Sequence, residues 1–295
     1  MTTRGTIFLE EAEILEHRAW PAEQYIVRVS APEAALRSEP GSFAHIQCDP
    51  AVPLRRPLSI MRAERSSGWL EFLYKPVGAG LAKLARRTPG ERLSVLAPIG
   101  RGFEPDPDRP RILAIGGGVG IPPIVFLAQE LRARTEFELI VLMGSEVPFP
   151  FDLVTSAHEV GGSPASASHA IELLEQWGIP SRLASCAELA GCFGGFVTEL
   201  ADTWLRASSP QALARTQILA CGPEPMLRAA AALAYAYDLP CQVAVEEYMA
   251  CGVGGCAGCT LTVHGTNGAA MKRVCVDGPV FDARSIYTNP SAGDA

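Results

Sequence analysis

The 295-residue chain carries 25 Lys and Arg against 32 Asp and Glu, a net charge of -7 at neutral pH, and 48% of its residues are hydrophobic. An acidic chain without a concentrated run of basic side chains suits a phosphate backbone poorly, so nucleic acid is not expected as a partner. The composition is that of a globular protein long enough for two or three cored domains, neither disordered nor fibrous.

The opening MTTRGTIFLEEAEILEHRAW sets acidic side chains among apolar ones and lacks both a basic start and an unbroken apolar run, so no export signal is expected. The most apolar later stretch, 112–128, is interrupted by Gly116, Gly117, Gly118, Gly120, Pro122 and Pro123 and is not expected to cross a membrane. A cytoplasmic location is the resulting expectation. In such reducing surroundings cysteines matter where they cluster, so Cys48, Cys186, Cys192 and Cys241 read as small buried hydrophobes.

From 6 to about 98, short alternating or apolar runs such as 25–29 and 69–74 are separated by Pro, Gly and Ser, which predicts a small antiparallel barrel. Within it Arg55-Arg56-Pro57-Leu58-Ser59-Ile60 joins a basic side chain, a rigid proline and a hydroxyl where a strand begins. Alone, this is a surface arginine before a strand. Two later segments change its meaning: Tyr74-Lys75-Pro76-Val77-Gly78-Ala79-Gly80, read as a strand running into a glycine turn, and Ala97-Pro98-Ile99-Gly100-Arg101-Gly102-Phe103. Glycine turns at strand ends let backbone amides approach phosphate oxygens, and Arg56 can neutralise the same pyrophosphate. Together the three segments predict a bound flavin nucleotide.

Pro105, Pro107 and Pro110 make a stiff linker, after which the period changes. Residues 111–115 read as a fully buried strand, Gly116-Gly117-Gly118-Val119-Gly120 as a tight turn and 121–132 as a helix opened by Pro122 and Pro123. Free N–H groups and the positive dipole end of such a helix suit a diphosphate. The G-x-G-x-x-G fingerprint is absent, since Ile121 follows Gly120, so a generic glycine-rich strand-to-helix turn stays open as the alternative. The strand predicted over 138–143 ends in Gly144-Ser145-Glu146, where a carboxylate either holds ribose hydroxyls, favouring NAD over NADP, or is a solvated loop acid.

Residues 148–200 carry no assignable chemistry; a helix is predicted around 170–177, and His158 and His169 are isolated. A buried strand over 216–220 then leads into Cys221-Gly222-Pro223-Glu224-Pro225-Met226 and an alanine-rich helix to about 237. A thiol and a glycine at the carboxyl edge of a parallel sheet favour a nicotinamide neighbour, against the plainer reading of a buried cysteine before a helix.

Near the C-terminus Cys251, Cys256, Cys259 and Cys275 are spaced C-x4-C-x2-C-x15-C, with Gly252, Gly254, Gly255 and Gly258 between the first three. Three thiolates on one loop and a fourth on a neighbouring strand match a plant-type [2Fe-2S] cluster. The glycines supply positive φ angles and bare N–H groups near the sulfurs. Structural zinc is the rival, although its loops usually come as two C-x2-C knuckles.

Arg56-Pro57-Leu58-Ser59, Gly78-x-Gly80, residues 116–123, Cys221-Gly222-Pro223-x-Pro225-Met226 and the cluster loop ending in Arg273-Val274-Cys275-Val276-Asp277-Gly278-Pro279-Val280-Phe281 occur in one order. Over nearly the whole chain that order resembles the electron-transfer subunits of NAD-dependent dihydroorotate dehydrogenases, in the ferredoxin reductase superfamily. The resemblance implies a mixed fold: an antiparallel β-barrel for FAD over 1–107, an α/β parallel-sheet domain for NAD over 108–240 and a small [2Fe-2S] domain over 241–295. It implies a heterotetramer, two of each chain, with an FMN-containing catalytic subunit that oxidises dihydroorotate in pyrimidine biosynthesis. Electrons then pass through cluster and FAD to NAD+.

Carried over by position, the resemblance puts Arg56, Pro57, Leu58, Ser59, Lys75, Gly78, Gly80 and Leu81 at FAD. The residue patterns put Gly116, Gly117, Gly118, Gly120, Pro122, Glu146, Cys221, Gly222, Pro223 and Met226 at NAD, although the loop after Gly144 departs from the usual family sequence, and put Cys251, Cys256, Cys259 and Cys275 on the metal. Ser59 and Cys221 are the catalytic candidates. Leu81 stands where the family usually has a threonine, so one phosphate hydrogen bond, about 1 kcal/mol, is missing. Similar small subunits occur in flavin-based ferredoxin:NADP+ oxidoreductases and sulfide dehydrogenases. A redox sensor lacks the DNA-binding element it needs here, and a zinc-stabilised interaction module is the remaining alternative.

Overall fold

A computed structural model of the protein describes residues 6–287. The alternating N-terminal strands close into a barrel: β1 (Phe8–Trp20), β2 (Gln24–Ser30), β3 (Phe43–Gln47), β4 (Arg56–Glu64), β5 (Trp69–Tyr74) and β6 (Arg92–Ile99). Their spatial order is β1-β2-β5-β4-β3-β6, antiparallel throughout. Ile14, Val27, Ile46, Ile60, Phe72 and Val95 share the barrel core. Two short helices, α1 (Pro32–Arg37) and α2 (Gly78–Leu84), add Ala34, Ala35 and Leu84 to it. Residues 78–80, predicted as a turn, thus open a helix: Gly78 takes a positive φ of 75° and the following apolar residues turn back onto the barrel.

Beyond the linker, strands buried on both faces alternate with helices, the pattern of a covered parallel sheet. β7 (Arg111–Gly117) passes through one 3-10 turn into α3 (Ile121–Leu131) and β8 (Glu138–Gly144). A hairpin of β9 (Leu153–Thr155) and β10 (His169–Ile171) precedes α4 (Glu172–Gln176), β11 (Ser181–Ser185), β12 (Phe193–Gly194), α5 (Val197–Ala207) and α6 (Pro210–Leu213). β13 (Thr216–Cys221), α7 (Glu224–Ala236) and β14 (Cys241–Ala244) follow. The helix predicted around 170–177 is therefore shortened to 172–176, because residues 169–171 pair with 153–155 instead. Cys48, Cys192 and Cys241 are buried as predicted, whereas Cys186 is exposed beyond the end of β11.

The last segment forms a small hairpin, β15 (Thr260–Gly265) and β16 (Gly268–Arg273), then α8 (Val274–Asp277), β17 (Val280–Asp282) and α9 (Ala283–Ile286). β17 returns to the central sheet, which runs β12-β11-β8-β7-β13-β14-β17 and is parallel except for this edge. Residues 241–244 and 280–282, assigned by sequence to the cluster segment, are thus strands of the central sheet. The outer ends of the first and third predicted domains, residues 1–5 and 288–295, lie outside the described residues. Among the described residues no helix is long and apolar enough to cross a membrane.

Helix α3 helps to fix the sheet domain on the barrel. Gln129 of α3 donates to the Ala63 carbonyl at 2.8 Å and accepts from the Ala63 N–H at 3.2 Å, so the helix after the glycine turn lies against β4. Phe126 of the same helix is buried in the barrel core.

Candidate functional site

The flavin motif is the start of β4, and every residue of it is paired with β3: Ile46 with Arg56, His45 with Pro57, Ala44 with Leu58 and Phe43 with Ser59. Leu58 is buried, Arg56 and Ser59 are half-buried and Pro57 is exposed. Arg56 meets the second flavin segment directly, since a Cβ added at Gly80 would stand 3.0 Å from the Arg56 Nε. Its Nη1 donates to the carbonyls of Leu54 at 2.9 Å and Arg55 at 3.2 Å, which orients the guanidinium. Lys75 is half-buried in the tight turn before α2, where the Val77 N–H donates to its carbonyl at 2.7 Å. Leu81 packs against the barrel core, which accounts for an apolar residue where a hydroxyl was expected.

The nicotinamide motifs also come together. Gly120 lies on the Cys221–Gly222 peptide so closely that any Cβ there would collide with backbone. Gly117 and Gly222 both rest against Met226, and Gly117 against Pro223 as well. Gly118 has φ of +54° and open space where a Cβ would be, a bare backbone face at the carboxyl edge of β7. Pro122 is buried in the first turn of α3. Gly144, at the end of β8, pairs with Gly117, which puts exposed Glu146 just past the same edge. Cys221 is 2% exposed, and its burial, with the nearby Glu246 carboxylate, holds its thiol well above the usual range. A thiol kept protonated packs and positions but does not act as a nucleophile.

The four clustered cysteines stand as two pairs. Cys259 and Cys275 are buried with their sulfurs 3.3 Å apart, while half-buried Cys251 lies beside exposed Cys256, whose side chain helps to lower its thiol. Among the described residues no three His, Cys, Asp or Glu side chains form one ion-sized group. Two pairs suit a two-iron cluster, with two thiolates on each iron, better than zinc, which needs four around one centre. Backbone amides reinforce this fit. Burial raises the Cys251 thiol, but the backbone of Val253 and Cys256, the Cys256 side chain and the backbone of Gly255 outweigh it and lower the thiol to about 6. Burial and the adjacent Cys259 push Cys275 up to about 12, opposed by the Gly254 backbone. The Gly258 N–H points at the Cys256 sulfur at 3.4 Å. Amides aimed at sulfur stabilise thiolate charge.

Sequence reasoning missed three residues around this loop. Arg273 donates from Nη1 to the Gly254 carbonyl at 2.8 Å, and its own N–H donates to the Asp277 carboxylate at 2.9 Å, so the loop is braced by the end of β16. Cys275 itself follows in α8, not on the neighbouring strand expected, because the chain turns helical directly after Arg273. His45 of β3 is fully buried, and Gly252 lies against its ring. Arg273 and Asp277 flank a ligand, which is a usable signal; a lone histidine in a barrel strand offers none.

Residues 246–287 match the iron-sulfur cluster binding domain of dihydroorotate dehydrogenase B. The dihydroorotate dehydrogenase B (NAD(+)) electron transfer subunit of Geobacillus thermodenitrificans is 31% identical over 285 residues, covering 94% of this chain and 98% of that protein. The corresponding subunit of Desulforamulus reducens is 30% identical over 280 residues, covering 94% and 97%. In architecture the chain is similar to an NADH-dependent reduced ferredoxin-NADP oxidoreductase, with a TM-score of 0.75 at 21% identity over 94% of this chain and 90% of that one. It is also similar to the ferredoxin reductase of carbazole 1,9a-dioxygenase, with a TM-score of 0.59 at 23% identity over 79% and 67%. The barrel, the parallel sheet and the paired thiols agree with a likeness that covers 94% of the chain, and the chain belongs to the family of dihydroorotate dehydrogenase B electron transfer subunits.

Proposed function

We propose that this chain takes electrons from a partner flavoprotein that oxidises dihydroorotate at FMN and delivers them to NAD+, in an assembly of two copies of each. The observation that carries this reading is the stacking of motifs: paired thiols on a loop against β3, the flavin motif on the adjoining β4, and α3 packed on β4 behind the glycine turn. When bound, the [2Fe-2S] cluster supplies one-electron transfer and FAD supplies the conversion of two such electrons to a hydride for NAD+.

The chain's own residues position, orient and shield. Arg56 holds the FAD pyrophosphate beside Gly78 and Gly80, with Leu81 offering its backbone N–H and Lys75 closing the turn. Pro57 and Leu58 set the backbone and Ser59 the hydroxyl at the flavin ring. Gly116, Gly117, Gly118, Gly120 and Pro122 form the dinucleotide turn, Glu146 holds ribose hydroxyls and thereby prefers NAD, and Gly222, Pro223 and Met226 shape the nicotinamide end. Cys221 packs beside the nicotinamide as a neutral thiol. Cys251, Cys256, Cys259 and Cys275 hold the iron. On this reading 1–107 serves FAD, 108–240 serves NAD and 241–295 serves the cluster.

The test is purification with whatever large subunit accompanies the chain, followed by assay of dihydroorotate-dependent NAD+ reduction. A different flavoprotein partner and no such activity would replace the substrate assignment. Replacing one ligand, Cys259→Ser, is expected to lower cluster occupancy and abolish electron passage from the partner, while NADH oxidation by an artificial flavin acceptor continues. Equal loss of both activities would contradict this order of carriers.

A further inference from the structure

β3 has two faces of different use. Ala44 and Ile46 point into the barrel core, while Phe43 joins the apolar cluster that holds Cys259 and Cys275. His45 alternates with Ala44 and Ile46 and so shares the side of Phe43, where it meets the cluster loop: a Cβ added at Gly252 would stand 2.8 Å from the His45 Nδ1 and 3.2 Å from Ile99 of β6. Gly252, itself buried, holds φ of +68°, so loop and ring meet where only glycine fits without strain.

His45 is 0% exposed, yet neither ring nitrogen has a hydrogen-bond partner among the described residues. The backbones of Cys251 and Arg55 lie beside the ring, short of hydrogen-bonding geometry, and the Arg55 and Arg56 guanidiniums are near it. The Arg55 guanidinium in turn holds the His45 carbonyl at 3.1 Å and the Ser94 carbonyl at 2.8 Å, pinning β3 between β4 and β6. A buried polar ring without partners is costly, and such groups persist where something else gives them a role. Here the ring sits between a cysteine of the cluster loop and the strand paired with the flavin motif.

We propose that His45 is a positioning residue that seats the Cys251–Gly252 end of the cluster loop on the flavin-motif side of the barrel. Its ring N–H closes on the Cys251 backbone and so orients that ligand toward FAD. Groups that orient a metal ligand typically change affinity or activity tenfold or more when removed. The inference rests on the cluster reading, and the two fail separately: no iron or sulfide in the unmodified protein defeats that reading, whatever His45 does.

The experiment uses the full chain carrying flavin and cluster, with NADH as the reductant. Flavin and cluster reduction are followed separately by stopped-flow, and the reduced cluster by electron paramagnetic resonance. His45→Phe keeps the ring and removes both nitrogens. It is expected to slow cluster reduction about tenfold and displace the cluster's resonance spectrum, while NADH still reduces the flavin. His45→Gln, which restores an N–H, is expected to recover most of the rate and the native spectrum. A native rate and spectrum in His45→Phe overturn the proposal, as does a His45→Gln variant that is as impaired as His45→Phe, since ring packing alone is then the cause. Should His45→Phe fail to fold, Gly252→Ala pushes the loop off the ring from the other side, and an unchanged spectrum there is equally fatal.

Discussion

At the scale of single residues, Leu81 and Arg56 face opposite demands. Arg56 keeps its guanidinium against a glycine, so charge can approach phosphate without a side chain between. Leu81 spends its side chain on the barrel core, where it is partly buried. A threonine there exchanges apolar packing for a phosphate hydrogen bond. Leu81→Thr is therefore expected to tighten FAD binding about fivefold, the equivalent of ~1 kcal/mol for one net hydrogen bond, and to lower unfolding stability by a similar amount. Fluorescence titration of the flavin-free protein and denaturant unfolding measure the two effects. Unchanged FAD affinity would mean that another donor already fills the place.

Elements show what a sequence can and cannot carry. The strand, glycine turn and helix over 111–131 were legible because a long apolar run, a glycine cluster and two prolines all point the same way. The cluster loop was legible because thiol spacing is itself the chemistry. β12, β14 and β17 were not, since two to four residues hold too little period to announce a strand, and their pairing comes from partners distant in the chain. His45 was invisible for the same reason: its importance lies in Gly252, brought to it only by the fold. What sequence alone gave as two motifs, the glycine turn and Cys221-Gly222-Pro223, are in the structure a single surface closed by Gly120. Gly120→Ala forces a methyl into the Cys221–Gly222 peptide. It is expected to weaken NADH binding at least about tenfold, or ~1.4 kcal/mol, and to leave the flavin spectrum as it is. Equilibrium titration with NADH reads this directly, and native affinity would show that the two motifs do not act together.

Across the whole molecule the barrel, sheet and cluster loop meet at the Gly278–Pro279–Val280 tail. The Arg101 N–H donates to the Gly278 carbonyl at 2.6 Å, the Val245 N–H to the Pro279 carbonyl at 3.0 Å, and Val280 pairs with Ala244 in the central sheet. Gly41, between α1 and β3, lies against Val280 so closely that a Cβ would come within 2.9 Å of its side chain. The tail thus has anchors on the barrel and the sheet that do not pass through the thiols. The loop over 251–258 is held differently: the Gly258 N–H points at the Cys256 sulfur and the backbones of Val253, Gly254, Gly255 and Cys256 favour thiolate at Cys251 and Cys275, so its order depends on those thiolates being held in place. Removing iron by chelation under reducing conditions is expected to release exchange protection in 251–258 while β7, β13 and β17 keep theirs, because local opening follows the contacts of each unit. Hydrogen exchange followed by mass spectrometry resolves these segments. Loss of protection in β17 alongside the loop would show that the tail is held by the cluster, and that the three parts of the molecule open as one.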